Sequence, residues 1–144
     1  MAIRRIGREW AVQFLFQNDF NPGDSTGDLE AFWKLQNVSP RDRGFASELI
    51  RGVLAHRDEL DARIQRYADN WDVRRLNAVD RNVLRLGLFE MLHRPDIPPV
   101  VSINEAVDLA KRFSSNESGK FVNGILDRAS QDLLRPRREP AETR

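Results

Sequence analysis

Asn77-Ala78-Val79-Asp80-Arg81-Asn82-Val83-Leu84-Arg85-Leu86-Gly87-Leu88-Phe89-Glu90-Met91-Leu92-His93-Arg94-Pro95 is the stretch that decides the fold. Val79, Val83, Leu84, Leu86, Leu88, Phe89 and Leu92 recur at helical spacing and give a broad apolar face, the pattern of a helix set deep in a protein. Asn77 offers an N-cap, because its side-chain oxygen can accept from one of the free N–H groups of the first turn. Pro95, Pro98 and Pro99 end the pattern, since they lack N–H donors and disfavour helical geometry in the residue before them.

Outward from this helix the apolar spacing stays helical, with no strand-like alternation. About seven helices are predicted. The first, from about Ile3 to Asp19, has Ile3, Ile6, Trp10, Ala11, Phe14 and Leu15 on one side. A second runs from about Thr26 to Gln36, and a third opens at Ser39-Pro40 and carries Phe45, Ala46, Leu49, Ile50 and Val53 inward. A fourth has Leu60, Ile64 and Tyr67, and a boundary falls near Trp71 and Asp72. Ser102 with Glu105 has the capping-box pattern and is expected to open the sixth helix, ending near Phe113. The seventh is expected from about Ser118 to before Pro136. The fold class is therefore all-α, a bundle that can divide into two packed subbundles. Residues 1–135 form one domain, and residues 136–144 form a charged, proline-containing tail that composition reads as disordered.

The 144 residues suffice for one domain that buries roughly two thirds of its unfolded surface. No cysteine is present, which excludes thiolate catalysis, disulfides and sulfur-ligated zinc, and is compatible with a reducing cytoplasm. No apolar run approaches the ~20 residues of a membrane span, and a soluble protein is expected. His56 and His93 are the two imidazoles; both fall near helix C-termini and read as helix-end residues, so no metal or cofactor is expected. With 23 basic and 22 acidic residues, net charge makes no case for a polyanionic partner, and distribution carries more information: both chain ends are locally basic, and such ends either attract phosphate or stay solvated. Arg4, Arg5 and Arg8 crowd the start of the first helix, where the dipole favours negative groups; phosphates would relieve that repulsion.

On a helical wheel, Arg5, Arg8, Glu9, Val12 and Phe16 fall away from the main apolar face. Val12 and Phe16 are either covered by a second helix or belong to a partner surface of aromatic anchors bordered by arginine. Phe113 and Phe121 flank Ser114-Ser115-Asn116-Glu117-Ser118-Gly119-Lys120. The two rings either close a helical hairpin or stack unpaired bases, with Lys120 attracting phosphate and Glu117 accepting from a base amino group. Gly119-Lys120 is not a nucleotide loop, because Ser114 stands where the pattern needs glycine and Phe121 where it needs serine or threonine. No hydrolase or zinc-protease signature is present either, and the chain is read as a non-enzyme.

Arg4-Arg5-Ile6-Gly7-Arg8-Glu9-Trp10-Ala11-Val12-Gln13-Phe14-Leu15-Phe16, Leu84 to Leu92, Ser102-Ile103-Asn104-Glu105-Ala106-Val107-Asp108-Leu109-Ala110-Lys111 and Lys120-Phe121-Val122-Asn123-Gly124-Ile125-Leu126-Asp127 together resemble the NusB family of bacterial transcription antitermination factors. The resemblance covers nearly the whole chain, with Pro22 to Ser39 the least diagnostic region. It implies two helical subbundles and pairing with the small-subunit ribosomal protein NusE. It further implies binding to boxA RNA of ribosomal RNA operon transcripts, and support of a processive RNA polymerase elongation complex with other Nus factors. On matching positions it makes Arg4, Arg5, Arg8, Phe113, Glu117, Lys120 and Phe121 RNA contacts, and Phe16 and Asp80 NusE contacts. Phe16 replaces a frequent tyrosine, and Glu117 a familiar aspartate one methylene shorter. Some members form homodimers that cover the RNA surface. The alternative from another class is a helical interaction module or homodimeric scaffold without direct RNA recognition.

Overall fold

A computed structural model describes residues 2–23 and 25–133. Seven α-helices carry the described chain: α1 (Ala2–Phe20), α2 (Ser25–Gln36), α3 (Pro40–Ala55), α4 (Arg57–Tyr67), α5 (Ala78–His93), α6 (Pro99–Phe113) and α7 (Asn116–Gln131). A single 3-10 turn, Val73–Arg75, lies between α4 and α5. The predicted tail at 136–144 lies outside the described residues.

Helix α5 is the axis of the molecule, packing against α1, α3, α4, α6 and α7. Every residue from Asn82 to Met91 is buried, which is why its apolar face is so broad. Its buried polar groups reach α1 and α4 as well as its own helix and so lock the register. Arg85 donates to Asp61 of α4 at 2.7 and 2.8 Å and to Asp19 of α1 at 2.9 Å. Asn82 donates to Asp19 and to its own helix at the Ala78 carbonyl, both at 2.8 Å. Burial, the largest influence on Asp19, pushes its pKa up, but Arg85 together with Asn82 and Arg81 outweighs it and holds the carboxyl below its ordinary range. Close approach of α3 to α5 depends on Gly52: a Cβ there would lie 2.1 Å from Phe89 Cζ.

The capping chemistry follows the sequence in α5, where the Asn77 side chain accepts from the Asp80 N–H at 2.8 Å. It departs in α6. That helix opens at Pro99, three residues before the expected Ser102, because proline at the first position loses no hydrogen bond. Ser102 and Glu105 are thereby inside the helix, free to bond to other helices: the Ser102 hydroxyl donates to Glu90 at 2.9 Å. Ser115 caps α7 by accepting from the Ser118 N–H at 3.1 Å, so that helix starts slightly earlier than expected.

The expected face of α1 is corrected as well. Ala11, Phe14 and Leu15 are buried, but Ile3 and Ile6 are each 43% exposed, whereas Arg8 and Val12 are inside. Helix α1 is covered by α3 and by α5 together, so its buried sector is wider than one apolar stripe and is rotated toward Arg8.

Candidate nucleic-acid interface

The three arginines of α1 divide by depth. Arg4 is at the surface, donating to Asp96 at 3.2 Å with its guanidinium 5.0 Å from the centre of the Phe45 ring. Arg5 is more open and forms a two-pronged pair with Glu105 of α6 at 3.0 and 3.3 Å; that hydrogen bond raises the guanidinium above its ordinary range. Arg8 is 3% exposed and pairs with Glu90 and Glu105. Its guanidinium is committed to two carboxylates. The structure therefore puts Arg8 beneath the surface, where it fixes Glu105 and through it Arg5.

Between α1 and α6 lies a cleft of about 400 Å³ lined by Arg5, Arg8, Glu9, Glu105, Lys111 and Arg112 among others. Lys111 and Arg112 occupy the last turn of α6, where the dipole favours cations. Arg112 pairs with Glu9 across the cleft and its guanidinium stands 5.6 Å from the centre of the Phe113 ring. The stem of Lys111 lies across Gly119 of α7: a Cβ at that glycine would meet Lys111 Cγ at 2.7 Å. These two residues extend the basic strip of α1 to the α6–α7 corner. Neither helical spacing nor the family motifs single them out as site residues, although two cations at a helix end beside Phe113 are a visible signal in the sequence.

On α7, Glu117, Lys120, Phe121, Gly124 and Arg128 follow at spacings that put them on one stripe. Glu117 and Lys120 are fully at the surface and pair loosely at 3.6 Å. Phe113 and Phe121 are half-buried and packed on the core, so each is partly a hairpin-corner residue while keeping an exposed part.

Trp71, which the sequence marks only as a helix boundary, belongs to the same surface. It is 59% exposed and meets Phe121 edge to face, ring centres 6.1 Å apart. Its loop is pinned: the Gln65 amide donates to the Trp71 carbonyl and accepts from the Val73 N–H at 3.0 Å, while Arg128 donates to the Tyr67 carbonyl at 2.7 Å and to Asp69 at 2.9 Å. The two rings form a ridge between two clefts. One, of about 310 Å³, is lined by Asn70, Lys120, Gly124 and Arg128. The other, of about 420 Å³, reaches Arg75, Asn77, Asp80 and Glu117.

Asp80 is 7% exposed; its Oδ2 accepts from Asn77 at 3.1 Å, and its Oδ1 finds no hydrogen-bond partner among the described residues. A buried carboxylate oxygen left without a donor is costly, and such exceptions call for an explanation. Phe16 is 37% exposed and meets the still more exposed Phe20 edge to face at 5.1 Å. Asp19 joins these two places, since it accepts from Arg81 and Asn82, the two residues that follow Asp80.

The fold and the site define an all-helical protein in which a cleft bordered by arginine and lysine leads to an aromatic ridge. The chain belongs to the NusB family, which it matches over residues 5–131. It is 48% identical to the transcription antitermination protein NusB of Myxococcus xanthus, over 94% of this chain and all of that one. The protein of the same name from Desulfotalea psychrophila is 47% identical, over 88% of this chain and 94% of its own. Among solved structures, T. maritima NusB superposes with a TM-score of 0.83 at 39% identity, covering 92% of this chain and 93% of that one. A chain from a crystal structure of the antitermination factors NusB and NusE in complex with double-stranded RNA has a TM-score of 0.83 at 27% identity, covering 92% and 99%.

Proposed function

We propose that this chain is a non-enzymatic RNA-binding adaptor in transcription antitermination, pairing with NusE and binding boxA RNA in the cytoplasm as part of an RNA polymerase elongation complex with other Nus factors. The observation that carries this is the continuity of the strip from Arg5 through Lys111 and Arg112 to Phe121 and Trp71, guanidinium and ammonium groups first and rings last. Cations attract phosphate without regard to sequence, and rings hold unstacked bases. Arg4, Arg5 and Lys120 contact phosphate, Phe113 and Phe121 offer ring surface, and Glu117 accepts from a base. Arg8 acts from below by orienting Glu105. Phe16 and Asp80 face NusE, with Asp80 Oδ1 accepting from a cationic or amide donor of that partner. A crystal structure combining NusB, NusE and RNA among the structural relatives supports the pairing.

The test is binding of a boxA RNA with and without NusE at two salt concentrations, comparing the intact chain with an Arg4→Ala/Arg5→Ala variant that spares the buried Arg8. Binding is expected to strengthen with NusE, weaken with salt and fall in the variant. Indifference to NusE, to scrambling of the RNA and to the substitutions would leave the interaction module or homodimeric scaffold as the better description.

A further inference from the structure

His56 and His93 are the chain's only histidines, and the fold brings them together. His56 sits at the junction of α3 and α4, and His93 is the last residue of α5. Their rings stack with centres 4.1 Å apart and planes 19° from parallel. Glu59, in the first turn of α4, has Oε1 2.9 Å from His93 Nε2. One donor atom from each of the three residues can be chosen so that all lie within 4.8 Å of one another. Both rings lean on Phe89, at 6.0 and 5.3 Å between centres, and Phe89 is itself seated on Gly52. The cluster therefore rests on a packed floor with its outer side accessible, His93 being 31% and Glu59 48% exposed.

We propose that His56, Glu59 and His93 form a zinc-binding site that ties the α3–α4 corner to the end of α5. Two imidazole nitrogens and one carboxylate oxygen are a donor set that zinc accepts, leaving a fourth position for water. Magnesium and calcium favour oxygen-only surroundings and fit it poorly. Around a tetrahedral ion with metal–nitrogen bonds of about 2.0–2.1 Å the donors stand about 3.3 Å apart. The near-parallel stack keeps the lone pairs of the two rings from converging on one ion, so binding requires the side chains to rotate out of the stack toward that spacing, with the hydrogen bond between Glu59 and His93 giving way to shared coordination. Arg63, one helical turn beyond Glu59, opposes a dication, so the carboxylate is essential to the site. The ligands come from two segments, His56 and Glu59 at the α3–α4 corner and His93 at the end of α5, so zinc bound there stabilises the assembled fold over the unfolded chain.

The experiment titrates zinc chloride into the untagged, chelator-treated full chain by calorimetry, with thermal unfolding and cobalt(II) absorption as further readouts. One zinc per chain is expected, with a raised unfolding midpoint and tetrahedral cobalt bands. Affinity should fall by at least roughly tenfold in His56→Gln, His93→Gln and Glu59→Gln, variants that keep side-chain bulk and whose folding is checked by circular dichroism. The absence of saturable binding, undiminished binding in the His56→Gln/His93→Gln double variant, or equal competition by magnesium would overturn the assignment.

Discussion

Arg8 donates two 2.8 Å hydrogen bonds to the two carboxylate oxygens of Glu90, and both side chains are almost wholly removed from water. This joins α1 to the central helix, and Ser102 of α6 adds a third hydrogen bond to the same carboxylate. Removing one partner leaves the other charge buried and unpaired. Arg8→Ala is expected to destabilise the fold by roughly 3–5 kcal/mol in urea unfolding, whereas Arg8→Met combined with Glu90→Leu recovers much of that loss. A single variant as stable as the parent would show the pair to be dispensable.

Trp71 is largely exposed and its loop is held by backbone contacts, so Trp71→Ala should leave the unfolding midpoint nearly unchanged. In RNA binding it should cost about 1–3 kcal/mol, the range for one base stacked on one ring. Phe121→Ala should lose as much affinity and some stability too, because that ring is half-buried against the core. Titration of a fluorescent boxA RNA measures both. Unchanged affinity in the two variants would remove the ridge from the interface.

Arg5 and Lys111 border the α1–α6 cleft. If each meets a phosphate, Arg5→Ala and Lys111→Ala should each flatten the dependence of log affinity on log salt by roughly 0.7 to 1, with weakening shared by matched and scrambled RNA. A loss confined to the boxA sequence would instead make them base-reading residues.

Asp80→Asn keeps the size of the side chain and can keep the contact with Asn77, but removes the charge of the unpartnered oxygen. Its effect should appear in NusE affinity, at least tenfold weaker by calorimetry, with little change in thermal stability. Phe16→Ala should act in the same direction, because an exposed ring contributes little to the fold and much to a partner.

Asp96 lies in the loop before α6, where the Arg94 hydrogen bond leads in lowering its carboxyl from 3.8 to about 2, with a further contribution from Arg4. A depressed folded-state pKa contributes stability that is complete above the unfolded value and disappears as pH falls through the folded one. Comparison of the parent with Asp96→Asn should therefore show a stability difference that is constant near neutrality and shrinks between about pH 4 and pH 2. The carboxylate is about half exposed, so solvent screening keeps the difference small. A difference independent of pH would mean that the carboxylate charge is not what matters.

Helical spacing alone determined the all-α class, the central place of the 78–93 segment, the Asn77 cap and the stop at the prolines, because these depend on neighbours within a few residues. The residues from Phe113 to Phe121 read as a candidate surface from their two rings, lysine and glutamate, the family resemblance sharpened that reading, and the stripe of Glu117, Lys120 and Phe121 on α7 is a consequence of the same spacing. Depth was decided only by tertiary packing. A wheel drawn for one apolar face cannot foresee that α3 and α5 cover α1 on two sides, and so Arg8 and Val12 went inside while Ile3 and Ile6 came out. Ser102 and Glu105 looked like a cap, and became cross-helix partners once Pro99 opened α6. Trp71 meeting Phe121, Asp80 retaining a bare oxygen, and two distant histidines stacking beside Glu59 all depend on chain segments brought together by folding, and local periodicity carries no record of such meetings.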